Sequence, residues 1–206
     1  MNKKQFIVIE GIDGSGKSTQ AELLLQYFID RGEKAVISPE PSSGIIGNLI
    51  RQALKKRVFF TDNRQLFDEQ MAYLFAADRH DHLYNDIDGV YKLINDGFYV
   101  ISTRYYFSSL AYNSDTAAQF DFIRQLNHKF PPPDTTIYLD IPVDISLKRT
   151  QNRSLKEVYE TKEKLTLVRT NYNNIFTNYS HKLLIIDGEQ KQNLIHEKII
   201  DFCLLN

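Results

Sequence analysis

The 206-residue chain has no tryptophan and one cysteine, Cys203. A single thiol cannot close an internal disulfide, which removes the class of small domains stapled by oxidised cysteines. Cys203 lies on the apolar face of a C-terminal helical pattern, where it reads as a small buried hydrophobe. An excess of charge is missing too: 25 Lys and Arg stand against 26 Asp and Glu, giving a formal net charge of −1 and a pI near 6.5. Such a balance gives no electrostatic footprint for a nucleic-acid backbone or an anionic membrane, so a bound phosphate must be held by locally placed cations. No apolar run approaches membrane-spanning length, and MNKKQ leads into a short apolar strand instead of the longer apolar region and cleavage site of a secretory signal. The expectation is a cytoplasmic protein with neither nucleic acid nor membrane as partner. At 24.0 kDa the length suits one α/β domain over residues 1–206, without repeats or low-complexity segments.

What the chain does have is concentrated at Gly11 to Ser18, GIDGSGKS, in the pattern G-x-x-x-x-G-K-[ST]. Gly11, Gly14 and Gly16 allow the backbone to curl without Cβ clashes and to turn its N–H groups on one anion. Ile12, Asp13 and Ser15 fill the loop and Thr19 follows it. Lys17 can reach the outer phosphates of a nucleotide, and the Ser18 hydroxyl can ligate Mg²⁺. Phe6 to Ile9 precede the loop as an apolar run suited to a strand buried on both faces. Ala21, Leu24, Leu25 and Phe28 follow at helical spacing, and Gly32 supplies a stop, so a helix N-terminus points at the loop.

Further strands are expected over 34–37, 98–102, 135–140 and 183–186. Helical patterns fill 44–56, 63–86, 105–112, 116–129, 144–151, 155–177 and 190–204. This alternation predicts an α/β protein: a central parallel five-stranded sheet flanked by helices in three layers, with ligands at the carboxyl ends of the strands.

Phosphate loops are shared by kinases, GTPases and motors. The chain has no N-K-x-D guanine-reading sequence and is too small for a typical motor domain, which favours a small-substrate kinase. Five segments, in order and spacing, resemble the thymidylate kinase family of P-loop nucleoside monophosphate kinases. They are GIDGSGKST at 11–19, PEP at 39–41, LFAADR at 74–79, TRYYFSSLAY at 103–112 and PPPDTTIYLD at 131–140. The resemblance runs over nearly the whole chain. It implies the P-loop NTPase fold with a short lid, transfer of the ATP γ-phosphoryl group to dTMP with Mg²⁺, and a homodimer to which the segment from Phe59 to Phe75 contributes.

Phe75 and Arg79, four apart in a helical pattern, share a face and can enter one pocket. Spacing alone favours Phe75 as core with Phe67, Met71 and Leu74, and Arg79 as the partner of a surface carboxylate. The resemblance instead assigns Phe75 to stacking on the thymine ring and Arg79 to a thymine carbonyl. Arg104 follows a buried run at the carboxyl end of a strand, where a charge lines the ligand crevice. By resemblance it holds the acceptor phosphate, Ser109 lies near the base, and Tyr112 sits beneath the sugar. Ser108 and Tyr112, four apart, share a helix face.

The chain departs from the family at Thr103, where an aspartate is usual. Asp13, Glu40 and Asp140 are the carboxylates expected to serve the acceptor or the metal in its place. Lys148, Arg149, Arg153 and Lys156 flank a polar break, and the segment 148–157 reads as a lid whose closure delivers a cation, or else as a solvated basic helix end. The loop itself contains no arginine, so Arg149 or Arg153 joins Lys17 and Arg104 in the catalytic set. His80 and His82, two apart on a helix, cannot share a metal, and surface or partner roles are expected for both. Tyr159–Glu160 carries no assigned chemistry. Two alternatives stand beside this reading: a deoxynucleoside kinase with Glu40 as general base, and a nucleotide-binding homologue with weakened catalysis.

Overall fold

The structure, a computed structural model, describes residues 4–151, 159 and 161–205. The apolar run before the phosphate loop forms β1 (Phe6–Glu10), central in the sheet and buried at every position because helices cover both faces. With β2 (Lys34–Ile37), β3 (Phe98–Thr103), β4 (Thr135–Asp140) and β5 (Leu183–Asp187) it makes a five-stranded sheet of order β2-β3-β1-β4-β5. Every pairing is parallel, with Ile7 opposite Ile101 on one side and Thr135 on the other.

Alternation along the strands divides the apolar residues between two layers of helices. Ile7, Ile9, Ile101, Ile137 and Leu139 pack against α1 (Lys17–Ile29) and α9 (Gln192–Leu204), with Leu24, Phe28 and Ile199 among the contacts. Phe6, Val8, Val100 and Tyr138 face the opposite layer. That layer holds α2 (Ile45–Leu54), α3 (Arg64–Tyr84), α4 (Val90–Asn95), α5 (Tyr106–Tyr112), α7 (Val143–Thr150) and α8 (Lys162–Thr177). Outside it, α6 (Ala117–Asn127) packs Ile123 against Ala72 of α3 and Leu110 of α5. Cys203 is buried in the first layer, as its apolar surroundings in sequence suggest.

Local chemistry sets the element ends. α3 begins where the Asn63 side chain accepts from Leu66 N, and ends at Asn85, whose side-chain oxygen accepts from Ile87 N and Asp88 N. It therefore stops two residues short of the expected 86. A capping box of Thr116 and Gln119 opens α6. The short α4 was absent from the sequence expectation, since six residues between Gly89 and Gly97 are too few to show a period. The expected helix 155–177 is represented by α8 from Lys162, and its residues 155–158 and 160 lie outside the described residues. No helix among the described residues is long and apolar enough to cross a membrane.

Candidate active site

The loop from Gly11 to Gly16 joins the buried end of β1 to the N-terminus of α1. At Gly11, with φ +148°, a Cβ would stand 2.6 Å from the Leu139 carbonyl oxygen, so only glycine lets the loop lie against β4. Gly16 is left-handed and caps α1 without a side-chain hydrogen bond, so no side chain of the cap competes with an anion for the first-turn N–H groups. Lys17 is buried, and its Nζ donates to the carbonyls of Gly11 and Ile12, both at 2.9 Å. Ser15 Oγ is buried with no hydrogen-bond partner among the described residues. Asp13, Gly14, Ser18, Thr19 and Arg149 line a cavity of about 510 Å³ above this loop. Arg149, exposed at the end of α7, closes one side by donating to the carbonyls of Gly14 and Gly188 at 3.2 Å each.

A second cavity, of about 320 Å³, adjoins the first. Phe75 and Arg79 of α3 both line it, as their spacing of four requires. Ser108, Ser109 and Tyr112 of α5 line the other wall. Arg79 has a carboxylate partner, but a buried one: its Nε lies 3.0 Å and its Nη2 2.6 Å from Glu40 Oε2. Its Nη1 donates to Asn127 Oδ1 at 2.5 Å and its Nη2 to Ser109 Oγ at 3.2 Å. The guanidinium is thus held on three sides at the inner end of the cavity.

Asp13, Glu40 and Arg104 line both cavities and mark their junction. Arg104 Nη2 lies 2.6 Å from Asp13 Oδ1, and its guanidinium carbon stands 4.8 Å from the centre of the Tyr112 ring. Tyr112 Oη donates to Asp13 Oδ2 at 3.3 Å, and Arg104 Nη1 donates to Ser108 Oγ at 3.1 Å. Thr103 precedes this arginine, and the carboxylate paired with Arg104 comes from the phosphate loop.

Several expectations are corrected by these contacts. Asp140 lines neither cavity: Arg169 grips it through two hydrogen bonds of 2.7 and 2.9 Å. His82 is buried rather than on the surface, with Nε2 2.7 Å from Ser38 Oγ and Nδ1 3.4 Å from Glu40 Oε1. His80 does lie outside, its ring 5.1 Å from that of Tyr84. Tyr159 lines the second cavity and donates to Asp68 Oδ1 at 2.8 Å. Arg153, Lys156, Glu160 and most of the expected lid 148–157 lie outside the described residues. Sequence reasoning passed over Arg51, which lines the second cavity and donates to Ser42 O at 2.5 Å, and over Asn127. Arg51 lies about one helical turn from Gly47 on an amphipathic helix, a signal no stronger than that of any surface arginine.

The donor set suits a hard divalent cation: one hydroxyl (Ser18) and one partly exposed carboxylate (Asp13) border the phosphate-loop cavity. No group of three or more His, Cys, Asp or Glu able to hold a metal occurs among the described residues. A hydroxyl and one carboxylate suit Mg²⁺, which keeps waters and nucleotide phosphates as most of its ligands.

A parallel sheet whose central strand runs into a glycine-lined anion loop, with a second cavity meeting the first at an arginine, defines a P-loop kinase of small substrates. The thymidylate kinase profile matches residues 9–199. The protein named probable thymidylate kinase of Methanococcus aeolicus is 39% identical over 205 residues, covering 97% of this chain and 95% of that protein. Its namesake in Pyrococcus horikoshii is 40% identical over 168 residues, with 81% and 80% covered, and that of Thermococcus onnurineus 37% over 198 residues, with 95% of each covered. The chain belongs to the thymidylate kinase family.

Proposed function

We propose that the chain transfers the γ-phosphoryl group of ATP to the phosphate of dTMP, releasing ADP and dTDP. The observation that carries this reading is the shared wall of the two cavities, where Asp13, Glu40 and Arg104 border both. ATP lies over Gly11 to Thr19, with Lys17 turning from the loop carbonyls to its outer phosphates. The thymine ring stacks on Phe75 and meets Arg79 and Ser109, the sugar rests on Tyr112, and the phosphate reaches Arg104, with Ser108 behind it. The acceptor needs no side-chain base, because a phosphate monoester with a second pKa of about 6 is already ionised at neutral pH. Catalysis then consists of in-line alignment by Arg104 and Phe75, charge neutralisation by Lys17, and charge stabilisation by Arg149 or Arg153. Ser18 and Asp13 would hold Mg²⁺, whose charge would offset that of the nucleotide phosphates. Glu40 does not suit the role of base in a deoxynucleoside kinase, since both its oxygens are engaged by Arg79.

The same reading treats residues 1–206 as one domain, 148–157 as its lid and the cytoplasm as its site of action. It also makes the protein a homodimer, supported by the exposure of Phe59, Leu66 and Tyr73 within the segment 59–75. An ADP-release assay with ATP and Mg²⁺ against dTMP, dUMP, dGMP, dCMP, UMP and thymidine tests the activity. A clear preference for dTMP is expected. Turnover with thymidine alone would return the base role to Glu40, and absence of turnover with every acceptor would end the kinase reading.

A further inference from the structure

Glu10 is the last residue of β1, fully buried, and the phosphate-loop pattern gives it no part. A buried carboxylate is costly unless its oxygens are satisfied, and here they are. Oε1 accepts from Tyr105 N at 2.7 Å, and Oε2 accepts from Ser108 Oγ and from Tyr172 Oη, each at 2.8 Å. Burial raises its carboxyl above the ordinary range, opposed by the charge of Arg104 and by the three donors.

All three donors lie around one residue. Tyr105 directly follows Arg104, and Ser108 Oγ is the acceptor for Arg104 Nη1. Arg104 itself has φ +79°, a left-handed conformation that strains any residue with a Cβ and persists only where neighbours hold it. Its N–H donates to Ile9 O at 3.0 Å and its carbonyl accepts from Ser102 Oγ at 2.9 Å. The next amide, that of Tyr105, is the one Glu10 holds. Tyr172 approaches from α8.

We propose that Glu10 is a positioning residue for acceptor binding: by fixing the Tyr105 amide and the Ser108 hydroxyl, it keeps Arg104 left-handed and its guanidinium aimed at the junction of the two cavities. The inference rests on the reading of Arg104 as the ligand of the acceptor phosphate. Glu10→Gln keeps the volume and one acceptor oxygen, but its amide nitrogen cannot accept from both hydroxyls. ATP meets other residues of the loop, so the damage falls on one substrate.

The test titrates dTMP and a non-hydrolysable ATP analogue separately by calorimetry into wild type, Glu10→Gln, Tyr172→Phe, Arg104→Lys and Glu10→Gln with Arg104→Lys, with melting temperatures alongside. Glu10→Gln is expected to weaken dTMP about tenfold and to leave the ATP analogue within about twofold. Tyr172→Phe, which removes one donor and keeps the ring, moves dTMP in the same direction by less and serves if Glu10→Gln does not fold. On the Arg104→Lys background the Glu10 change adds less than about twofold, because it acts through that arginine. An unchanged dTMP affinity in Glu10→Gln, an equal loss of both ligands, or a full tenfold loss on the Arg104→Lys background would overturn the proposal. Wild-type dTMP binding by Arg104→Lys would instead overturn the role given to Arg104, on which the proposal rests.

Discussion

Arg79 of α3 and Glu40 of the loop after β2, 39 residues apart, form a two-toothed ion pair whose side chains are only 1% and 2% exposed. The pair ties the helix that carries Phe75 to the segment after β2, which borders both cavities. A desolvated pair of this kind adds little net stability, yet removing one partner strands the other charge in the interior. Glu40→Ala is therefore expected to cost about 3–5 kcal/mol in urea unfolding. The double change Glu40→Leu with Arg79→Met is expected to restore most of that stability and none of the dTMP binding. A double variant that binds dTMP normally would show that the pair serves the fold alone.

Lys17→Met should lower kcat by about a thousandfold, the order of effect expected when charge stabilisation of phosphoryl transfer is lost. The Lys17 stem is buried, and methionine fills the same space, so circular dichroism and melting temperature should change little. Near-normal ADP release by this variant would remove Lys17 from the mechanism.

The parts of the site readable from sequence are those fixed by local spacing. Phe75 and Arg79 reach one cavity because four residues make one helical turn, and Gly11 and Gly16 sit where a Cβ or a negative φ would break the loop. The partners of these residues were not readable. Nothing near Arg79 in the chain indicates that its carboxylate is Glu40 and buried, so the local expectation was a surface pair. His82, set beside His80 at a spacing that rules out a shared metal, was expected at the surface or at a partner, yet the helix turns it toward Ser38 and Glu40. Glu10 was concealed by its place in an apolar strand, since its three donors come from α8 and from the residues around the start of α5. In each case tertiary contacts, brought together by the parallel sheet, decide what a polar residue does.

Burial pushes the Cys203 thiol up to about 12, against an ordinary value of 9.0. Three pH units correspond to about a thousandfold less thiolate than an exposed cysteine carries at pH 8.5, and only the thiolate reacts. Because the chain has no other cysteine, Ellman's reagent should report one thiol in urea and almost none in the native protein. Rapid stoichiometric labelling of the native state at that pH would show that α9 opens readily from the sheet.

Asp68 on α3 is buried beneath Tyr159, and burial raises its carboxyl above the ordinary 3.8, although the Tyr159 hydrogen bond and the charges of Lys164 and Arg64 oppose the shift. Above pH 3.8 the unfolded chain ionises this group while the native protein still keeps its proton. The native state then binds more protons, so stability falls as pH rises through the window from 3.8 to the raised native value. Asp68→Asn keeps an oxygen to accept from Tyr159 and has nothing to titrate. Its melting temperature, compared with that of wild type at the same pH, should therefore move upward relative to wild type as pH increases across that window and level off above it. Other groups, Glu10 included, titrate in both proteins and cancel in the difference. A gap that stays constant, or that closes as pH rises, would mean that the Tyr159 hydrogen bond and the two cations offset or outweigh burial and that the Asp68 carboxyl is not raised in the fold.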